Sequence, residues 1–222
     1  MIILQSVEQG SEQWLNMRKG KPTASEAKKI MTPKGALSKS RLAYMRKLCA
    51  ECVIDDPMEF MGNKYTDWGH ENEPLARAAF TDETGLSVSE VAFCTREDGV
   101  IGFSPDGLIK GDDGEWIAGL EIKCPSRDKH VEYLLDGVLP DDHKLQVHWS
   151  LAASGLDTWH FVSFFPGLQT FMIEVHRSEF TETVKQAQDD FLIEYAAARP
   201  AMIAAIELPM EFEALNQAEG MQ

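Results

Sequence analysis

An acidic hairpin constrains this chain more than any other stretch. Ser104-Pro105-Asp106-Gly107 and Leu120-Glu121-Ile122-Lys123-Cys124-Pro125 flank Gly111-Asp112-Asp113-Gly114, and an Asp-Gly pair between two apolar-rich runs is a strong short hairpin signal. With Asp113-Gly114 as a two-residue loop, Asp106 stands opposite Glu121, where Cβ atoms of opposed side chains lie roughly 4.5–5.5 Å apart. Alternation puts Lys123 on the face of Glu121, while Ala118, Leu120 and Ile122 line the other face with Phe103 and Ile109. One face is core, and the other carries two acids and an ammonium. Pro105 lacks a ladder donor and favours a bulge at this end.

Two unpaired carboxylates at that separation repel each other. A hard divalent cation removes the conflict, because Mg²⁺ takes a few carboxylate oxygens together with water and substrate phosphate. A surface hairpin with a solvated Glu–Lys pair fits the same residues, and the hairpin alone does not choose between the two.

The 222 residues, 44% of them hydrophobic, suit one sizeable α/β domain, expected over 1–200 with an acidic tail over 201–222. No apolar run approaches the ~20 residues of a membrane span, and the first residues lack the form of a signal peptide. Four cysteines are too few for a disulfide scaffold, so a cytoplasmic, reduced protein is expected. Cys49-x-x-Cys52 lies in a helix-like run with no second pair at zinc spacing and reads as two buried thiols. A net charge of −15 argues against a protein that coats nucleic acid. Basic residues nevertheless gather between Arg18 and Lys47, which fits either a polyanion-facing side or a solvated helix face.

Along the chain, Ser11 is expected to cap a short helix ending near Gly20. Thr23-Ala24-Ser25-Glu26 fits a capping box for a helix running to Met31. The first amides of that helix, with the Ser25 hydroxyl and Arg18, can hold a phosphate; an ordinary cap is the alternative. Further helices are predicted over 38–54, 68–84, 128–135, 142–153 and 178–199, with Arg199-Pro200 ending the last. A strand is predicted over 86–95, the acidic hairpin over 100–124, and a second hairpin across Pro166-Gly167. Glu73 falls in line with Ala76 and Phe80, towards the apolar side, where a carboxylate needs a partner. Pro74 reads as a first-turn residue or a kink, and 57–62 as a loop.

Taken in order, Trp14…Arg18…Thr23-Ala24-Ser25-Glu26, Trp68-Gly69-x-x-x-Glu73-x-x-Ala76-Arg77, Ser104-Pro105-Asp106-Gly107-Leu108, Leu120-Glu121-Ile122-Lys123-Cys124-Pro125 and Gln146-Val147 resemble the PD-(D/E)xK nuclease superfamily. Within it the pattern is similar to the lambda-type (YqaJ-like) phage recombination exonucleases, over about residues 8 to 195. A lone E-x-K is nearly worthless as a signal, whereas five motifs in order are specific. The resemblance implies an α/β (α+β), restriction-endonuclease-like core: a central mixed β-sheet flanked by helices. It also implies a Mg²⁺-dependent 5′→3′ exonuclease that digests one strand of duplex DNA processively from a 5′-phosphorylated end, leaving 3′ overhangs.

Carried over residue by residue, Asp106 and Glu121, with the Ile122 carbonyl, resemble ligands of a two-ion Mg²⁺ site in which Mn²⁺ substitutes, and Glu73 its further acid. Lys123 resembles the group that positions or activates the attacking water. Arg18 and Ser25, with Ser104, resemble a pocket for a terminal 5′-phosphate, and Gln146 a residue near metals and nucleophile. Family members often carry a second Gln two places on; here it is His148, read as a packing residue rather than a general acid. The resemblance further implies a homotrimeric ring around DNA ends, a phage single-strand annealing protein as partner, and phage or prophage origin in a bacterial host. Two other readings stay open: a structure- or site-specific endonuclease of the same superfamily, and a non-catalytic DNA-end-binding subunit.

Overall fold

Strand β6, Trp116–Lys123, is the frame on which the other elements are hung. The computed structural model describes residues 1–4, 7, 9–54 and 64–207, with backbone alone at 64–67. In chain order the elements are β1 (Ile2–Leu4), α1 (Glu12–Arg18), a 3₁₀ turn (Ala24–Lys29), α2 (Arg41–Val53), α3 (Lys64–Thr84), β2 (Val88–Ser89), β3 (Phe93–Thr95), β4 (Gly102–Phe103), β5 (Gly107–Lys110), β6, α4 (Arg127–Asp136), α5 (Asp141–Ser154), β7 (Thr158–Ser163), β8 (Phe171–His176) and α6 (Glu179–Ile206). Five strands form a mixed sheet in the order β2-β5-β6-β7-β8, antiparallel except for the parallel β6–β7 pair. A smaller antiparallel sheet has the order β1-β3-β4.

Alternation along β6 separates two cores. Ala118, Leu120 and Ile122 pack with Ile109 and Val162 against Ala76 and Phe80 of α3. On the opposite face Trp159 and Phe161 of β7 join the larger core with Leu48, Trp149, Val184 and Phe191 from α2, α5 and α6. Each such side chain, fully buried, contributes roughly 1.5–3 kcal/mol. Gly119 is required here: a Cβ at that position would run into the Trp159 ring.

Phe103 belongs to the larger core and not to the group around Ile109. The chain changes sheets between β4 and β5, so strand alternation does not carry through Ser104–Asp106. The strand expected over 86–95 is divided for the same reason: β2 pairs with β5, and β3 with β1 and β4. Both predicted helices after the hairpin form, as does the second hairpin across Pro166-Gly167.

Several local expectations change. Thr23 makes no side-chain cap, and its segment is a 3₁₀ turn rather than an α-helix. Its hydroxyl accepts from Arg18 (3.3 Å), and Glu26 is drawn to Lys29 (2.5 Å) and Lys47 (3.7 Å). On α2, Leu42 is exposed and Arg41 is buried, paired with Glu194 of α6 at 2.8 Å. Cys49 is buried but Cys52 is exposed, so the two are not a buried pair. Helix α3 starts at Lys64, which places Pro74 in its interior. Helix α6 continues through Pro200 to Ile206, because Met202 and Ile203 still pack on the core. The predicted loop at 57–62 and residues 208–222 lie outside the described residues. Among the described residues, no helix is long and apolar enough to cross a membrane.

Candidate active site

The hairpin register survives through two offsetting irregularities. The turn is centred on Asp112-Asp113, with the Gly114 amide donating to the Gly111 carbonyl (3.0 Å) and Gly114 at φ +84°, a conformation that favours glycine. Because the Gly111 amide donates to the Glu115 carbonyl (2.9 Å), the loop is the three residues 112–114 rather than the expected Asp113-Gly114, which alone would slip the strands by one residue. An extra residue, Ile117, restores the phase: Lys110 pairs with Trp116, but Ile109 pairs with Ala118.

At the other end, Gly107 pairs with Leu120, and the Asp106 amide also donates to the Leu120 carbonyl (3.0 Å). Asp106 and Gly107 therefore share one partner, as in a β-bulge, and Asp106 is not the ladder partner of Glu121 as expected. The Ile122 amide, left without a main-chain acceptor on that side, donates instead to Oδ2 of Asp106 at 2.6 Å. The amide and carbonyl of a strand residue point to the same edge, so the Ile122 carbonyl faces the space beside this carboxylate.

Glu121 is 1% exposed. Its Oε1 accepts from the Lys123 ammonium and from Gln146 Nε2 of α5 at 2.6 Å. From the other side, Glu73 on α3 is held by Arg77 one turn on (2.5 Å). Arg77 Nε also donates to the main-chain carbonyl of Asp106 (3.1 Å). Glu73, Asp106, Ile122 and Lys123 line one cavity of about 470 Å³. Lys123 also lines a second cavity of about 580 Å³ that reaches Ser25 and Gln146.

The electrostatics are those of crowded anions. Burial first, with the Asp106 charge second, pushes Glu73 up to about 7. Burial also raises Glu121 to about 7, against Lys123 and with Asp106. Asp106 is raised by burial, in opposition to Lys123 and the Ile122 amide. Burial pulls Lys123 down, but Glu121, Asp106 and Glu73 outweigh it and hold the ammonium protonated.

The residues expected at a phosphate pocket come together nearby. Arg18 donates to Ser104 Oγ (3.3 Å), Thr23 Oγ1 (3.3 Å) and Ser25 Oγ (3.0 Å). Its guanidinium lies 4.2 Å from the Trp14 ring centre, and Trp14 Nε1 donates to Ser104 Oγ (3.2 Å). Among the described residues, the groups to which Arg18 donates are hydroxyls and none is a carboxylate. With two donors on its oxygen, Ser104 has its own hydrogen to offer elsewhere. The Gly102 amide, bonded to the Pro22 carbonyl (2.9 Å), fixes the Ser25 turn against the Ser104 segment.

The predicted residues Glu73, Asp106, Glu121, Ile122, Lys123 and Gln146 thus come together, as do Arg18, Ser25 and Ser104. His148 stands apart: its Nδ1 bonds Thr181 Oγ1 (2.8 Å) and its ring packs edge-on to Phe180, with burial lowering it to about 4. Two residues of the cluster had no role in the sequence reading. Arg77 carries the i, i+4 spacing to Glu73 that marks a helical ion pair. His143 lies one turn before Gln146, lines both cavities and bonds the Tyr133 hydroxyl (3.2 Å); its only signal was that spacing.

Among the described residues, no three His, Cys, Asp or Glu side chains close into a metal-holding group. Oxygens of Glu121 and Glu73 are occupied by Lys123 and Arg77. The donor set still fits a hard cation: carboxylates raised partly by one another, beside a carbonyl, are the oxygen ligands that Mg²⁺ or Mn²⁺ takes.

A mixed sheet flanked by helices, with acids and a lysine at the end of its central strand, defines the restriction-endonuclease-like class of fold. The chain belongs to the YqaJ-like viral recombinase family, whose domain model matches residues 13–157. It is similar to the crystal structure of an alkaline exonuclease, LHK-Exo, from Laribacter hongkongensis, with 30% identity, a TM-score of 0.74, and coverage of 86% of this chain and 96% of that one. The same protein in complex with dAMP matches equally, at 30% identity. A phage-related exonuclease from Haemophilus somnus 129PT shares the fold, with 18% identity, a TM-score of 0.61, and coverage of 82% and 96%. No curated protein matches the chain.

Proposed function

We propose that this protein is a DNA exonuclease of phage type that uses a divalent cation, Mg²⁺ or Mn²⁺, to hydrolyse one strand of a duplex 5′→3′ from a 5′-phosphorylated end. The observation that carries the reading is that one short segment contributes a residue to each of two clusters. Ser104 completes the hydroxyl-lined Arg18 pocket, and Asp106 supplies a carboxylate at the acidic cluster. Lys123 and His143 line both the cavity beside Asp106 and the one that reaches Ser25 of the pocket. Similarity to LHK-Exo, an alkaline exonuclease, supports the reaction class.

Asp106, Glu121, Glu73 and the Ile122 carbonyl would hold the cation. When bound it supplies a Lewis acid and a water of lowered pKa. Lys123 stays charged and positions the attacking water while offsetting charge on the scissile phosphate. Gln146 fixes Glu121 from α5. Arg18, Ser25 and Ser104 set the register of the strand end by gripping its terminal phosphate.

The family resemblance supports a homotrimeric ring that encircles DNA and so stays on it, a single-strand annealing protein as partner, the cytoplasm of a bacterial host as location, and a single nuclease domain over 1–200.

The test is digestion of linear duplex bearing 5′-phosphate or 5′-hydroxyl ends, and of a covalently closed circle, in Mg²⁺ or chelator. Nucleotide release from 5′-phosphorylated strands in Mg²⁺, with the circle intact, is expected. Cleavage of the circle would identify an endonuclease, and absence of Mg²⁺-dependent release an end-binding subunit.

A further inference from the structure

Arg77 is held on three sides. Its Nε donates to the Asp106 carbonyl (3.1 Å), and its terminal nitrogens meet Glu73 (2.5 Å) and Glu90 (3.1 Å). The Arg77 side chain is 13% exposed and that of Glu90 73%, so the inner contacts are the constrained ones. A guanidinium is a planar fork whose donors hold fixed angles to one another. One nitrogen on the α3 carboxylate and another on the hairpin main chain make it a rigid spacer between elements far apart in sequence.

Each main-chain polar group of Asp106, and its side chain, is engaged. Its amide is tied to Leu120 and its side chain to the Ile122 amide. Pro105 before it has no amide with which to secure the segment. Arg77 takes the remaining main-chain group of Asp106.

We propose that Arg77 is a positioning residue that sets the separation of Glu73 and Asp106, and thereby the affinity of the acidic cluster for its divalent cation. This rests on the cation site put forward above. Partners that orient metal ligands typically govern affinity by 10–100-fold. Lysine retains the charge but is a single point donor and cannot span both contacts. Charge alone therefore does not rescue the function.

The test titrates Mn²⁺ into the full-length protein without DNA, by calorimetry, for the parent, Arg77→Lys, Arg77→Gln and Glu90→Gln, with chelated samples melted to verify folding. Both Arg77 variants should bind Mn²⁺ at least about tenfold more weakly. Arg77→Lys should raise the Mg²⁺ concentration for half-maximal cleavage by a similar factor and leave DNA-end binding in chelator unchanged. Its Ile122 amide should exchange hydrogen faster, since the acceptor on Asp106 is no longer braced. Glu90→Gln should stay within about twofold of the parent throughout. Parent-like Mn²⁺ affinity in whichever Arg77 variant folds would overturn the role of Arg77. A parent chain that binds no Mn²⁺ would instead overturn the cation site on which it rests.

Discussion

The Ile122 amide and the Asp106 carboxylate share a 2.6 Å hydrogen bond, so a side chain stands in for the main-chain acceptor that a bulged strand fails to provide. One carboxylate oxygen thus closes the sheet, and on the cation reading proposed above the other is a ligand. Asp106→Ala should forfeit both. An unsatisfied buried amide costs about 1–3 kcal/mol, to be read in urea melts, and Mg²⁺-dependent nucleotide release should fall by about 10²-fold or more. Asp106→Asn keeps an acceptor oxygen and should recover most of the stability but little activity. Unchanged Mg²⁺ dependence in either variant would refute the ligand role.

Lys123→Ala is expected to lose turnover by about 10²–10³-fold while still retaining duplex ends in a gel-shift assay with Ca²⁺. Near-normal cleavage would remove Lys123 from the mechanism.

Removing the guanidinium by Arg18→Ala should erode the preference for 5′-phosphate over 5′-hydroxyl ends. A charge-assisted contact of about 1.5–3 kcal/mol corresponds to about 10–100-fold in that ratio, measured as relative initial rates on paired substrates. A preference that survives intact would mean the terminal phosphate is gripped elsewhere.

The pH behaviour follows from Glu73 and Glu121, both raised from 4.5 to about 7. A carboxyl raised on folding binds its proton more tightly in the native state. The stability it lends is therefore complete below about 4.5 and lost as pH rises through 7. Chelated protein should melt progressively lower between pH 5 and 8, and Glu121→Gln should flatten that slope. Divalent ions compete with those protons, so their apparent affinity should rise across the same interval. A melting curve for the parent that runs parallel to that of Glu121→Gln would contradict the assignment.

His148→Ala should cost stability without touching chemistry: about 1–2 kcal/mol from the lost Thr181 bond and the Phe180 contact, with kcat within about twofold. A larger fall in kcat would bring His148 into the reaction.

What the sequence made readable was mostly periodicity and spacing. Alternation along 118–123 places Glu121 and Lys123 on one face, and the register near Gly107 is as expected even though the loop is three residues, 112–114, because Ile117 compensates. Phe103 departs from the face that alternation predicts because alternation is a property of one strand, and the chain leaves one sheet for another at Pro105. The Thr23 capping box failed to a competitor that no local pattern reveals: Arg18, folded back over Trp14, takes the hydroxyl. Arg77 went unassigned because an Arg four residues after a Glu looks like any helical surface pair, and its main-chain contact to Asp106 exists only in three dimensions. His143 is a lone histidine near a helix start, and only the fold places it between two cavities.

Ser104 and Asp106 are separated by a single proline, so their Cα atoms span at most about 7 Å. On the present assignment, the place where a strand end is caught and the place where it is cut are fixed to one short, stiff ruler. The advance per cycle is then dictated by covalent geometry rather than by how firmly the duplex is gripped, and a mutation that loosens DNA binding should shorten the run without changing the length of each step.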